Sequence, residues 1–180
     1  MRSFLPLALA LSANSVTPPI SGLAGMPLGT AAPGESAYAA ATARTVKAVI
    51  DYTRWPQRHD PLVLCVAGPV LHAARLGGIR LADGRQVERR NVAPLVQALG
   101  GCHVLYIGQV PISSQRQLTA AVRGKGVLTI AEADPAGTSE AVVSLTYQPG
   151  ALSFRLNIDA ISRSGLRIDP RVLRISQGGA

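Results

Sequence analysis

Leu152 to Leu173, LSFRLNIDAISRSGLRIDPRVL, carries the densest structural instruction in the chain. Leu152, Phe154, Leu156 and Ile158 alternate with Ser153, Arg155 and Asn157, and a period of two makes a strand with one buried and one polar face. The alternation stops at Ile158. Asn157 or Asp159 supplies the cap for a short helix with Ile158 and Ile161 on its apolar side, Arg163 near its negative end and Gly165 for the left-handed residue that closes it. Leu166 and Ile168 then form a brief extended step around Arg167. Asp169 followed by Pro170 is the cap and first turn of a final helix carrying Val172, Leu173 and Ile175.

Working back from this stretch, Ala141 to Tyr147 is a strand joined through Gln148, Pro149 and Gly150 to the one that opens it, an antiparallel hairpin. Three short apolar runs lie further upstream: LVLCVA (62–67), CHVLYI (102–107) and VLTIA (127–131). Continuous runs of this length belong to strands buried on both faces, as in parallel sheets. Helical spacing fills the gaps. Thr42, Val46, Val49, Ile50 and Thr53 place a helix over Tyr38 to Thr53, which Pro56 ends, leaving Trp55 in an extended corner. Further helices are expected over Val70 to Leu76, over Pro94 to Leu99, and from Ser113 as cap through Val122. Ile79 to Val92 reads as a hairpin turning at Asp83 and Gly84, with Gln86 to Val92 as its return arm. The fold class that follows is α/β: a single-domain layered sandwich whose mixed, mostly parallel sheet is flanked by helices and extended by an antiparallel hairpin.

The chain has 180 residues, 47% hydrophobic and 16% charged, which suits one folded domain and excludes a disordered polar chain. Met1 and Arg2 followed by the apolar run Phe4 to Leu11 resemble an export signal, so residues 1–34 are read as a leader and 35–180 as the domain. An exported chain with an even number of cysteines is expected to bond Cys65 to Cys102, with two buried free thiols as the cytosolic alternative. The net charge of +8 raises nucleic acid as a partner. The cations are scattered, almost all are arginine, and Tyr38, Tyr52, Trp55, Tyr106, Tyr147 and Phe154 form no stacking cluster, so no nucleic-acid partner is expected.

Catalytic patterns are absent from the sequence. No nucleophile elbow or phosphate-binding loop is present, and Gly124-Lys125-Gly126 precedes a strand where a dinucleotide fingerprint must follow one. His59, His72 and His103 have no partner at metal spacing. The chain is therefore expected to be no enzyme and to need no cofactor or metal. One constellation suits a ligand: Arg54 and Trp55 at the end of the first helix, with Arg163 and Arg167 flanking Gly165, would present an aromatic face beside guanidinium forks to an anionic or aromatic molecule. Spacing alone also allows Trp55 to be a core plug and the arginines solvated surface charges.

The residues also form an ordered pattern: Y-x-R-W-P (52–56), L-C-V-x-G (64–68), G-C-H-V-L-Y-I-G (101–108), V-L-T-I (127–130) and S-F-x-x-N-x-D-x-x-x-R-S-G-x-R-I (153–168). In this order and spacing it resembles the YfiR family of bacterial periplasmic proteins. The resemblance implies a periplasmic repressor, often dimeric, that binds the periplasmic sensor portion of an inner-membrane diguanylate cyclase and so restrains cyclic di-GMP synthesis and biofilm formation. It also implies sequestration by an outer-membrane OmpA-like lipoprotein. Cys65 and Cys102 match a family disulfide, and Arg54 and Arg167 match positions of a ligand pocket. Two departures stand out: the loop near Ala133 to Val143 lacks the cysteines of a second expected disulfide, and Asp169 stands where a basic residue can occur.

Overall fold

Burial alternates between two cores along the first of the apolar runs. Leu62, Leu64 and Val66 face one cluster while Cys65 and Ala67 face another, so the strand needs apolar side chains at every position. A computed structural model of the chain describes residues 26–28 and 30–177. The apolar run expected of a leader, Phe4 to Leu11, lies outside the described residues.

Nine strands, β1 (Met26–Pro27), β2 (Thr53–Arg54), β3 (Leu62–Ala67), β4 (Val87–Val92), β5 (Val104–Ile107), β6 (Leu128–Ala131), β7 (Val143–Gln148), β8 (Ala151–Leu156) and β9 (Arg167–Ile168), are interleaved with helices α1 (Ala39–Asp51), α2 (Ile112–Val122) and α3 (Ile158–Ser164) among the described residues. Short 3-10 helices span Val96–Leu99 and Pro170–Gln177. The main sheet has the order β1-β8-β7-β6-β5-β3-β4, and β2 pairs with β9 in a separate ribbon. From β4 across to β7 the strands run parallel. β8 returns antiparallel to β7, and β1, which falls inside the span read as leader, caps it at Leu152 and Ala151. The layered sandwich and its antiparallel addition are as the sequence indicates.

On one face α1 buries Val46, Val49 and Ile50 against Leu64, Val104, Tyr106 and Ile130. Each of those three side chains is worth roughly 2 kcal/mol removed from water. The other face is closed by α2 through Leu118 and Val122 and by the first 3-10 helix through Leu99. Cys65 of β3 and Cys102, just before β5, lie on this second face and are disulfide-bonded, with Cα atoms 5.7 Å apart.

Several local expectations change. No helix forms over Val70 to Leu76, because the amides of Leu71 and His72 donate to the buried Glu132 carboxylate while Leu71 itself stays exposed. The hairpin at Asp83 and Gly84 forms but is short: Arg80 bridges Gln86, the Leu81 amide donates to the Arg85 carbonyl at 2.9 Å and the Val87 amide to the Ile79 carbonyl at 2.8 Å. Its return arm is β4, which pairs in parallel with β3 along the whole of Leu62 to Ala67. The hairpin pairing reaches Val87, and on its other edge β4 makes the six-residue ladder with β3. Ser113 lies inside α2 rather than capping it; Pro111 precedes the helix and no side chain caps it. Ile158 points to solvent at 71% exposure, and α3 buries Ala160 and Ser164 instead. Among the described residues no helix is long and apolar enough to cross a membrane.

Candidate functional site

The groove begins where α1 ends. Pro56 forbids the helix to continue, so the chain straightens into β2, and β9 pairs with it antiparallel to set Thr53 opposite Ile168 and Arg54 opposite Arg167. The turn before β9 is drawn tight by local chemistry. Asn157 Oδ1 accepts from the Ala160 amide at 2.9 Å to start α3, and Gly165, at φ 81°, ends it. A side chain on Gly165 would be strained in that conformation.

Arg54, Trp55, Pro56, Gly165 and Arg167 line a cavity of about 390 Å³. Arg54 and Trp55 also wall a second cavity of about 400 Å³, whose other cations are Arg58 and Arg85. Arg85 is held by Asp83 at 2.6 Å. Trp55 is half-buried, and its Nε1 is buried with no hydrogen-bond partner among the described residues. Asp169, the acid beside Arg54 and Arg167, is engaged by Arg171, whose Nη2 donates to Oδ2 at 2.5 Å. The Arg171 guanidinium, with Arg54 adding to it, pulls the Asp169 carboxyl down to about 2. Its charge is thus largely matched by Arg171, and the groove keeps its positive character.

Arg54, Trp55 and Arg167 therefore come together as the sequence suggests. Arg163 does not join them. It pairs with Asp159 one turn earlier on α3 and borders a separate small cavity next to Arg123 and Glu140. Arg163 lies on α3 and Arg167 on β9, so the strand pairing that sets Arg167 opposite Arg54 does not carry Arg163 with it.

Three further clusters escaped the linear reading. His59 stacks on His103 with ring centroids 3.8 Å apart, and His103 Nδ1 accepts from the Val63 amide at 2.9 Å. Burial, with His59 and Arg90 adding to it, lowers the His103 pKa. At the opposite end of the sheet the Glu132 carboxylate accepts from the Leu71 and His72 amides and, at 3.1 Å, from Tyr106 Oη. His72 Nδ1 meets Ser36 Oγ at 2.5 Å, but Glu132 bonds its backbone rather than its ring, so these residues make no catalytic triad. Burial raises the phenol of Tyr147, in contact with this group, to about 12. Lastly, Asp134 gathers the hydroxyls and amides of Thr138 and Ser139. Each cluster joins residues far apart in sequence or bound through backbone amides, which periodicity does not report. Among the described residues no group of three His, Cys, Asp or Glu side chains is placed to hold a metal ion. A family model described as YfiR/HmsC-like matches residues 39–177, from the first residue of α1 to the last of the C-terminal 3-10 helix.

Proposed function

Because the chain belongs to the YfiR/HmsC-like family, we propose that it is a non-enzymatic periplasmic regulator that binds the periplasmic part of an inner-membrane diguanylate cyclase and represses cyclic di-GMP synthesis, restraining biofilm formation. The family match over nearly the whole domain is the observation that carries this reading. Control of this kind requires only a surface whose affinity differs between two states of the partner. Release of the cyclase would follow capture of the regulator by an outer-membrane OmpA-like lipoprotein, and the working unit would be a homodimer.

The test is cytoplasmic cyclic di-GMP in a strain lacking the gene, with and without the cyclase. A rise that disappears when the cyclase is also deleted supports repression through that partner. No rise with both proteins expressed removes it.

A second reading, compatible with the first, is a sensor for a small anionic or aromatic molecule held by Arg54, Trp55 and Arg167. The unpartnered Trp55 Nε1 beside the cavity favours it, since a buried donor without an acceptor costs free energy that a ligand oxygen would recover. Calorimetric titration with nucleoside monophosphates and aromatic amino acids should show binding that Arg167→Ala weakens at least tenfold. Titrations unchanged by Arg167→Ala exclude this cavity.

A further inference from the structure

Ala67 aligns with both Val92 and Ile107 in the sheet, so the loops following β3, β4 and β5 leave it at one level. Their sequences, GPVLHA (68–73), APLV (93–96) and GQVPISS (108–114), contain no charged residue. These loops pack on one another. A Cβ at Gly68 would lie 2.5 Å from Val110 Cγ1 and 3.9 Å from Pro94, and one at Gly108 would lie 2.0 Å from the Pro69 carbonyl oxygen. The Gln109 amide donates to Pro69 O at 2.6 Å. Each loop also contains a proline, Pro69, Pro94 or Pro111, which fixes its backbone.

From this crown project Leu71, Leu95, Val96 and Ile112, exposed by 62%, 59%, 47% and 40%. Most of the large exposed hydrophobic side chains among the described residues are therefore gathered at one end of the sheet. Around them stand arginines. Arg89 of β4 reaches the Ala73 carbonyl at 2.8 Å, Arg116 lies one helical turn beyond Ile112, and Arg75 follows the first loop. Arg75 is paired with Glu35; Arg89 and Arg116 bond only uncharged oxygens among the described residues. Under the crown the Glu132 carboxylate is 2% exposed and turned inward onto the Leu71 and His72 amides.

We propose that this crown docks on the surface of an anionic lipid bilayer, its leucine and isoleucine tips entering the interface and its arginine rim meeting phosphate headgroups. Apolar side chains ringed by cations complement a layer of acyl chains beneath anionic headgroups. The net charge of +8 adds long-range attraction to such a surface. This surface lies at the opposite end of the parallel strands from the Arg54 and Trp55 groove, and the proposal does not depend on the regulatory reading.

The test is sedimentation of the protein with vesicles of phosphatidylglycerol and phosphatidylcholine at low ionic strength, against phosphatidylcholine alone. The expected result is binding to the anionic vesicles that falls at least tenfold in Leu71→Ser/Leu95→Ser/Ile112→Ser and on the neutral vesicles. Because those side chains are already exposed, the variant should keep the wild-type melting curve. In a second measurement, Leu95→Trp should shift its emission to the blue on anionic vesicles and be quenched by brominated acyl chains, while Trp55 alone should not respond. No vesicle binding, binding unchanged by the triple substitution, or equal binding to neutral vesicles overturns the proposal. A dimer in sedimentation velocity that the triple substitution dissolves, without vesicle binding, overturns it too and gives the face to a second copy of the chain.

Discussion

Asp134 shows what one residue can do in this fold. Its carboxylate accepts from the Thr138 amide at 2.8 Å, the Ser139 amide at 2.9 Å and the Ser139 hydroxyl at 2.5 Å, tying the loop that crosses from β6 to β7. This is the loop in which the family resemblance leads one to expect a second disulfide, and here a network of hydrogen bonds closes it. Asp134→Ala should cost about 3 kcal/mol in urea denaturation, because it strands buried donors. Burial raises the Asp134 carboxyl, but the hydrogen bonds from Ser139 and Thr138 outweigh it and hold the pKa below the usual carboxylate value. A depressed carboxylate stabilises the fold above its unfolded pKa and ceases to do so as pH falls through the folded one. The wild-type and Asp134→Ala stability curves should therefore lie furthest apart at neutral pH and draw closer as pH falls below about 4.

Helix α3 and the loop entering β3 test the same physics at the level of elements. Asn157 is the cap that starts α3, and Asn157→Ala should lower the unfolding free energy by about 1 kcal/mol without changing the sheet. The His59 and His103 stack joins the 56–61 segment, which leads from Trp55 into β3, to the start of β5. His103 uses Nδ1 as an acceptor for the Val63 amide, so a proton on that nitrogen breaks the bond. Its folded pKa is lowered, so the unfolded chain takes up a proton that the folded one resists, and stability falls as pH drops through the ordinary histidine value near about 6.5. His72, lowered by burial against an opposing pull from Glu132, acts in the same direction. His103→Asn keeps an acceptor near the Val63 amide but cannot be protonated. Chemical denaturation between pH 7 and pH 5 should show a shallower loss of stability in this variant than in the wild type, and equal slopes would remove His103 as the source.

For the whole molecule the Cys65 and Cys102 bond closes a loop of sequence separation 37 that contains β4 and the first 3-10 helix. Loop entropy assigns it about 4 kcal/mol. Cys65→Ala/Cys102→Ala should lose that much in denaturant, and a reducing agent should lower the melting temperature of the wild type but leave the variant unmoved. Arg90 Nη2 lies 3.2 Å from one sulfur and 3.4 Å from the other, so the pair is screened by a guanidinium as well as buried. The parallel sheet separates two surfaces: the arginine and tryptophan groove at the strands' N-terminal ends and the uncharged crown at their C-terminal ends.

The sequence by itself determined whatever depends on neighbours in the chain. The alternation of β8, the Asn157 cap, the Gly165 stop, the doubly buried runs of β3, β5 and β6 and the helical stripe of α1 follow from local periodicity and backbone preference, and together they imply the sandwich. Tertiary structure alone decided that the arm after Asp83 and Gly84 would leave its hairpin at Val87 and run on as a strand laddered to β3, because that partner comes from a separate stretch of the chain. It decided that Arg167 rather than Arg163 would face Arg54, since strand pairing across the molecule, not spacing along it, fixes that choice. It also turned Ile158 to solvent, and it brought Glu132 and Asp134 to the amides and hydroxyls they satisfy. A buried carboxylate is placed by the donors it must find, and those donors come from wherever the fold brings the chain past it.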